Sequence, residues 1–149
     1  MYKHMINVKD GSVSFDGGLL IKKNMRLDEI KSTDIKSIDE YGYTSVLLTP
    51  KSVDGEQLIV RLYFNLNKQL EGVSLVLKND FSDWSKWSLE QELKLDERQK
   101  NWLLNQIGSP PYTYKWGTIW AGYDPKSASS SIYINYKTGL KKRKFRLFK

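Results

Sequence analysis

The side chains able to do chemistry are scarce in this sequence. His4 is the single histidine, so any Ser-His-Asp arrangement would have to recruit it. It lies at the start of the chain, where a solvent-exposed imidazole is expected and a positioned general base is not. Two pairs of acids, Asp80 with Asp83 and Glu90 with Glu92, have the proximity that lets carboxyl groups split their pKa values and share acid and base roles. Such pairs are also common on solvated surfaces, and that reading is favoured for both. The sequence contains no G-x-S-x-G, P-loop, G-x-G-x-x-G or H-E-x-x-H motif. It has no cysteine, which removes thiolate ligands, cysteine nucleophiles and disulfides and fits a reducing compartment. No loop has the D-x-[DN]-x-[DN]-G spacing of a calcium site. Neither an enzyme nor a bound metal or cofactor is implied.

Aromatic residues are the other candidates. Lys115 to Tyr136 reads KWGTIWAGYDPKSASSSIYINY. Aromatics that alternate along strands are first of all core residues, and alternation places Tyr114, Trp116, Thr118 and Trp120 on one face and Ile132, Ile134 and Tyr136 on one face of the next strand. Exposed on a sheet, the same rings with a basic arm would suit a single-stranded nucleic acid. Charge argues against that partner: residues 1–136 hold 17 Lys plus Arg and 17 Asp plus Glu, so the net +7 resides wholly in Lys137–Lys149. A phosphate-binding face normally clusters its cations within the fold. The tail, with Lys141, Lys142, Arg143, Lys144 and Arg146, reads as a solvated, frayed extension, an interaction arm, or a short added edge strand through KFRLF.

The elements that would position these residues follow from periodicity. A chain of 149 residues supplies one domain with one core, expected over residues 1–136 with 137–149 as its tail. Short strands separated by Asp10-Gly11 and Asp16-Gly17-Gly18 open the chain. One or two helical turns are expected within Leu27 to Glu40, a strand over Tyr43 to Thr49, and an exposed loop at KSVDGEQ. LIVRLYF and GVSLVLK alternate cleanly and are expected to pair as a hairpin. A helix over Glu97 to Ile107, with Asp96 as N-cap and Gln99 three residues on, is preferred to one starting at Leu89, which would put Asp96 and Lys100 in the face shared by Leu89, Leu93, Leu103 and Ile107. Gly108, Pro110 and Pro111 end it. Leu103 and Ile107 should face the sheet, with Trp102 at the flank. The predicted fold class is α+β, with a mainly antiparallel sheet of short strands and one principal helix. No stretch is apolar enough to span a membrane and no secretory leader is read at the start, so a cytoplasmic protein is expected.

Trp116-Gly117-Thr118-Ile119, Tyr123-Asp124-Pro125-Lys126-Ser127 and Ser130-Ser131-Ile132-Tyr133-Ile134-Asn135-Tyr136 resemble the C-terminal signature of small bacterial immunity-type proteins of polymorphic and contact-dependent growth inhibition toxin systems. The acidic, Trp-containing segment before them and the helix end NWLLNQIG resemble the same group, so the resemblance spans Asp83 to Tyr136. It implies a cytosolic protein without activity of its own that binds and blocks a cognate toxin domain. Many immunity proteins against nucleases are acidic, whereas this body is neutral and its tail basic, which favours an acidic or neutral toxin surface. Interface hot spots favour Trp, Tyr and Arg, and loop tips carry binding residues. The expected contacts are therefore Trp84, Trp87, Trp102, Tyr123, Asp124 and Lys126, the last two also explicable as turn chemistry around Pro125.

Overall fold

The computed structural model describes residues 5–78 and 87–137. At its centre the two strongly alternating segments form the expected hairpin, β6 (Glu56–Phe64) and β7 (Leu70–Leu77), with Leu58, Val60 and Leu62 opposite Leu77, Leu75 and Val73. Those side chains are buried, as are Phe64 and Leu70 at the turn end. The intervening residues Ile59, Arg61 and Tyr63 point to the opposite face, as the two-residue period of a strand requires.

Around this hairpin the sheet grows outward on both sides. β3 (Ile35–Glu40), β4 (Thr44–Leu48), β8 (Thr113–Tyr114), β9 (Gly117–Asp124) and β10 (Ser129–Tyr136) complete the order β3-β4-β6-β7-β10-β9-β8, every neighbour antiparallel. The loop expected at KSVDGEQ is instead a tight hairpin: β5 (Lys51–Val53) pairs with the start of β6 and buries Val53. Asp54 and Gly55 both have positive φ, 51° and 82°, the geometry of a two-residue hairpin turn. A separate ribbon of β1 (Val13–Ser14) and β2 (Leu20–Ile21) turns at Asp16-Gly17-Gly18. Two short 3-10 turns, Leu27–Glu29 and Ser32–Asp34, lead into β3.

The fold is α+β with one principal helix, α1 (Leu89–Ile107), which packs on β7, β9 and β10. It ends at Ile107 before Gly108, as expected, but begins at Leu89 and not at Glu97. Ser88 is the N-cap, its hydroxyl accepting from Gln91 N at 3.1 Å, and Glu90 and Glu92 sit in the first turn, where acids complement the helix dipole. The buried face is Leu95, Gln99, Trp102, Leu103 and Gln106, while Leu89, Leu93 and Leu104 are exposed. Asp96, nearly buried, is neutralised by Lys100 one turn on, at 2.9 Å. Two glutamines on the buried face satisfy backbone donors: Gln99 Oε1 accepts from Leu77 N at 2.9 Å and Gln106 Oε1 from Met5 N at 2.8 Å.

The N-terminal segment lies over the same face of the sheet and contributes Met5, Ile6, Val13, Phe15 and Ile21 to the core. Besides Gln106, two side chains from the last third of the chain hold it. Trp116 Nε1 donates to Val8 O at 2.8 Å and the Tyr136 hydroxyl donates to Gly11 O at 2.6 Å. Among the described residues, no helix is long and apolar enough to cross a membrane.

Candidate functional site

Helix and N-terminal segment cover one face of the sheet; among the described residues no element covers the other, and its alternate residues include large aromatics. Trp120 and Tyr133 are directly opposite on β9 and β10, Tyr133 pairs with Ser74 on β7, and Ile59 pairs with Val76 across β6 and β7. The Tyr133 and Tyr63 rings approach to 5.9 Å between centroids, and Tyr63 and Tyr43 to 6.3 Å, so a row of phenols crosses the open face. Gly72 makes this possible, since a Cβ there would collide with the Tyr133 phenol lying across it. Burial raises the Tyr133 hydroxyl well above the ordinary phenol range and raises Tyr63 in the same direction. Arg61 reaches Ser45 Oγ at 2.8 Å and Asp39 at 3.7 Å, so this cation is already partnered.

At the end of this face where β10 begins, the sheet, the start of α1 and the β9–β10 loop enclose a cleft of about 630 Å³. Trp120, Tyr133, Tyr63, Trp87, Glu92 and Asp124 line it, with Ser127, Ser129, Ser130 and Ser131 along the loop side. Trp120 is 49% exposed, and its ring lies over Gly122, where a Cβ would strike it. Glu92 fastens the cleft wall: one carboxylate oxygen accepts from Trp87 Nε1 at 3.1 Å, the other from Ser130 N at 2.9 Å and Ser130 Oγ at 2.6 Å. Asp124 caps its own loop, accepting from Lys126 N at 2.9 Å and from Ser127 Oγ at 3.3 Å.

The anticipated contact residues are dispersed by this geometry. Trp87 and Asp124 line the cleft, and Lys126 stands exposed in the β9–β10 loop. Tyr123 is half-buried on the helix side of β9, in step with Ile119. Trp102 is only 8% exposed and belongs to the core, so its ring surface is taken up by packing. Trp84, the tail residues Lys141, Lys142, Arg143, Lys144 and Arg146, and likewise His4, Asp80 and Asp83 lie outside the described residues. The acid pair Glu90 and Glu92 is divided between a helix-surface ion pair with Lys94 and the clamp on Ser130. Among the described residues no three acidic or histidine side chains converge as metal ligands.

The open face also corrects the expected pattern of the first C-terminal strand. Tyr114, Trp116 and Trp120 were placed on one face by alternation, but the chain reverses between β8 and β9, so Trp116 precedes β9 and only residues from Gly117 onward keep its period. Gly117, at φ 157°, sits where a Cβ would collide with Asn135 O. Trp116 therefore turns into the core, stacked on Tyr114 at 4.9 Å, and Trp120 emerges on the open side. The signal was present in Gly117, which interrupts the alternation directly after Trp116.

No family model matches the sequence, and no curated protein is detectably similar to it. Among solved structures the fold is similar to that of a chain in the complex of Rhs1-CT with its cognate immunity protein RhsI1, with a TM-score of 0.61. The alignment covers 96% of this chain and 93% of that one at 14% identity. At that identity the likeness is one of fold.

Proposed function

We propose that this chain is an immunity-type protein: a non-enzymatic, cytoplasmic binder that neutralises the toxin domain of a polymorphic or contact-dependent growth inhibition system. The observation that carries the reading is the end-to-end fold likeness to a chain of a toxin–immunity complex, which meets the resemblance already visible in Trp116–Ile119, Tyr123–Ser127 and Ser130–Tyr136. The structure suits binding better than chemistry. Glu90, Glu92 and Asp124 are engaged in an ion pair, a clamp and a cap, while the exposed Trp120 stands on a strand of the sheet. Of the contacts anticipated from sequence, Trp87, Asp124 and Lys126 remain in the proposed interface, with Tyr123 at its margin and residues 1–136 as the binding domain.

The test is protection. Cells expressing the toxin domain encoded beside this chain should survive only when the chain is co-expressed, and the two proteins should co-purify. Unprotected cells together with the absence of a complex would sink the reading.

A second reading, single-stranded nucleic-acid binding, draws on the exposed Trp120 and the Tyr43, Tyr63 and Tyr133 rings, since aromatic sheet faces stack on bases. Against it, among the described residues of that face, the Arg61 cation is already engaged by Asp39. Oligonucleotide binding that weakens steeply between about 50 and 200 mM salt would favour it; salt-independent absence of binding would eliminate it.

A further inference from the structure

The cleft at the end of the open face is unusual in its charge. The chain as a whole carries +7, yet the described residues lining the cleft include two acids, Glu92 and Asp124, and no lysine or arginine. Neither acid forms an ion pair among the described residues. Both are held in place only by neutral donors: Ser130 and Trp87 for Glu92, Lys126 N and Ser127 for Asp124. A carboxylate that accepts from two or three neutral donors retains lone pairs for further donors. Trp120, Tyr133 and Tyr63 line the same cleft, and aromatic faces attract cations. The volume, about 630 Å³, lies within the range of small-molecule pockets and leaves room for a long side chain.

We propose that this cleft seats an arginine side chain presented by the toxin domain, with the guanidinium stacked on Trp120 and hydrogen-bonded toward Asp124 and the serine hydroxyls of the β9–β10 loop. Arginine fits better than lysine because its planar group stacks on indole and offers forked donors to a carboxylate. The assignment of the arginine to a toxin rests on the immunity reading; the preference of the cleft for a guanidinium does not.

Two measurements keep these separable. The full-length protein is titrated with N-acetylarginine amide, and the indole NMR signals are followed, with the neutral citrulline analogue as control. The arginine compound is expected to shift the Trp120 indole, assigned by its loss in Trp120→Leu, and the citrulline compound is not; equal shifts, or none, overturn the cleft assignment whatever the protein's function. The second measurement is calorimetric affinity for the toxin domain encoded beside this chain. Trp120→Ala and Asp124→Asn should each weaken it at least tenfold with thermal unfolding near wild type. Wild-type binding that both variants retain overturns the cleft as a toxin contact while leaving the immunity reading intact. Failure of the wild type to bind overturns the immunity reading, and with it the toxin as source of the arginine, and leaves the cleft to be judged by the titration. A chain ending at Lys137 completes the set: affinity for N-acetylarginine amide should stay within twofold. A rise of tenfold or more would mean that the chain's own basic tail competes for the cleft, which overturns the toxin as its occupant.

Discussion

The two faces of the central sheet are written by the same strands in alternate residues, yet they differ in kind. The covered face is mostly aliphatic, with Val60, Leu62, Val73, Leu75, Ile132 and Ile134 all without solvent exposure. The open face presents Tyr63, Tyr133, Trp120 and Ile59 among serines. Aliphatic side chains interdigitate with the helix and N-terminal segment, whereas flat rings give a rigid exposed surface with few rotatable bonds to immobilise on binding. A strand can therefore encode its own stability and its docking surface independently, one in each register.

The contrast can be broken most forcefully from the covered side. Ile134→Ala should cost about 2–5 kcal/mol of stability, read as a lower urea midpoint. Next comes Gln99→Leu, which strands the buried Leu77 N–H and should cost about 1–3 kcal/mol, seen in the same assay. On the open side Trp120→Ala should cost under about 1 kcal/mol, in the range of surface substitutions that lose some packing; a loss as large as that of Ile134→Ala would mean that the two faces are not separable.

Alkali offers a subtler probe. Burial raises the Tyr133 and Tyr136 hydroxyls above the ordinary phenol value, so in the unfolded chain these groups ionise at lower pH than in the folded one. Their contribution to stability is thus complete below the unfolded pKa of about 10 and is lost as pH rises from there toward the folded values. Tyr133→Phe should flatten that decline, measured by urea unfolding on both sides of the window with phenolate absorbance as a check on ionisation. The smallest effect belongs to Lys126→Ala at the loop tip, where unfolding should move by no more than about 0.5 kcal/mol.

Local periodicity carried the fold class and the β6–β7 hairpin, because the alternation there is uninterrupted. It misplaced the start of α1. The pattern Ser88-x-x-Gln91 is as good a capping signature as Asp96-x-x-Gln99, but the helical face was sought among leucines, and two of its five buried positions are glutamines whose partners, Leu77 N and Met5 N, belong to distant strands. A polar residue buried for a tertiary hydrogen bond looks solvent-facing in any single-sequence reading. The candidate site was legible in part for a related reason. Asp124 and Trp87 stood out by type, but Trp120 was assigned to the core, since the reversal at Trp116-Gly117 depends on the close approach of Gly117 to Asn135 O.

The fastening of the N-terminal segment by Gln106, Trp116 and Tyr136 also sets an order of events during synthesis. Those contacts span 101, 108 and 125 positions, and β10, the last of the described strands in chain order, belongs between β7 and β9 in the middle of the sheet. Until it arrives, β7 lacks one neighbour, β9 has only the two-residue β8 beside it, and the opening residues lack the Tyr136 anchor. Contacts so distant make assembly slow relative to a locally wired fold of equal size. The growing chain must remain uncommitted until β10 is inserted, so a product truncated before Ser129 is expected to lack the fold.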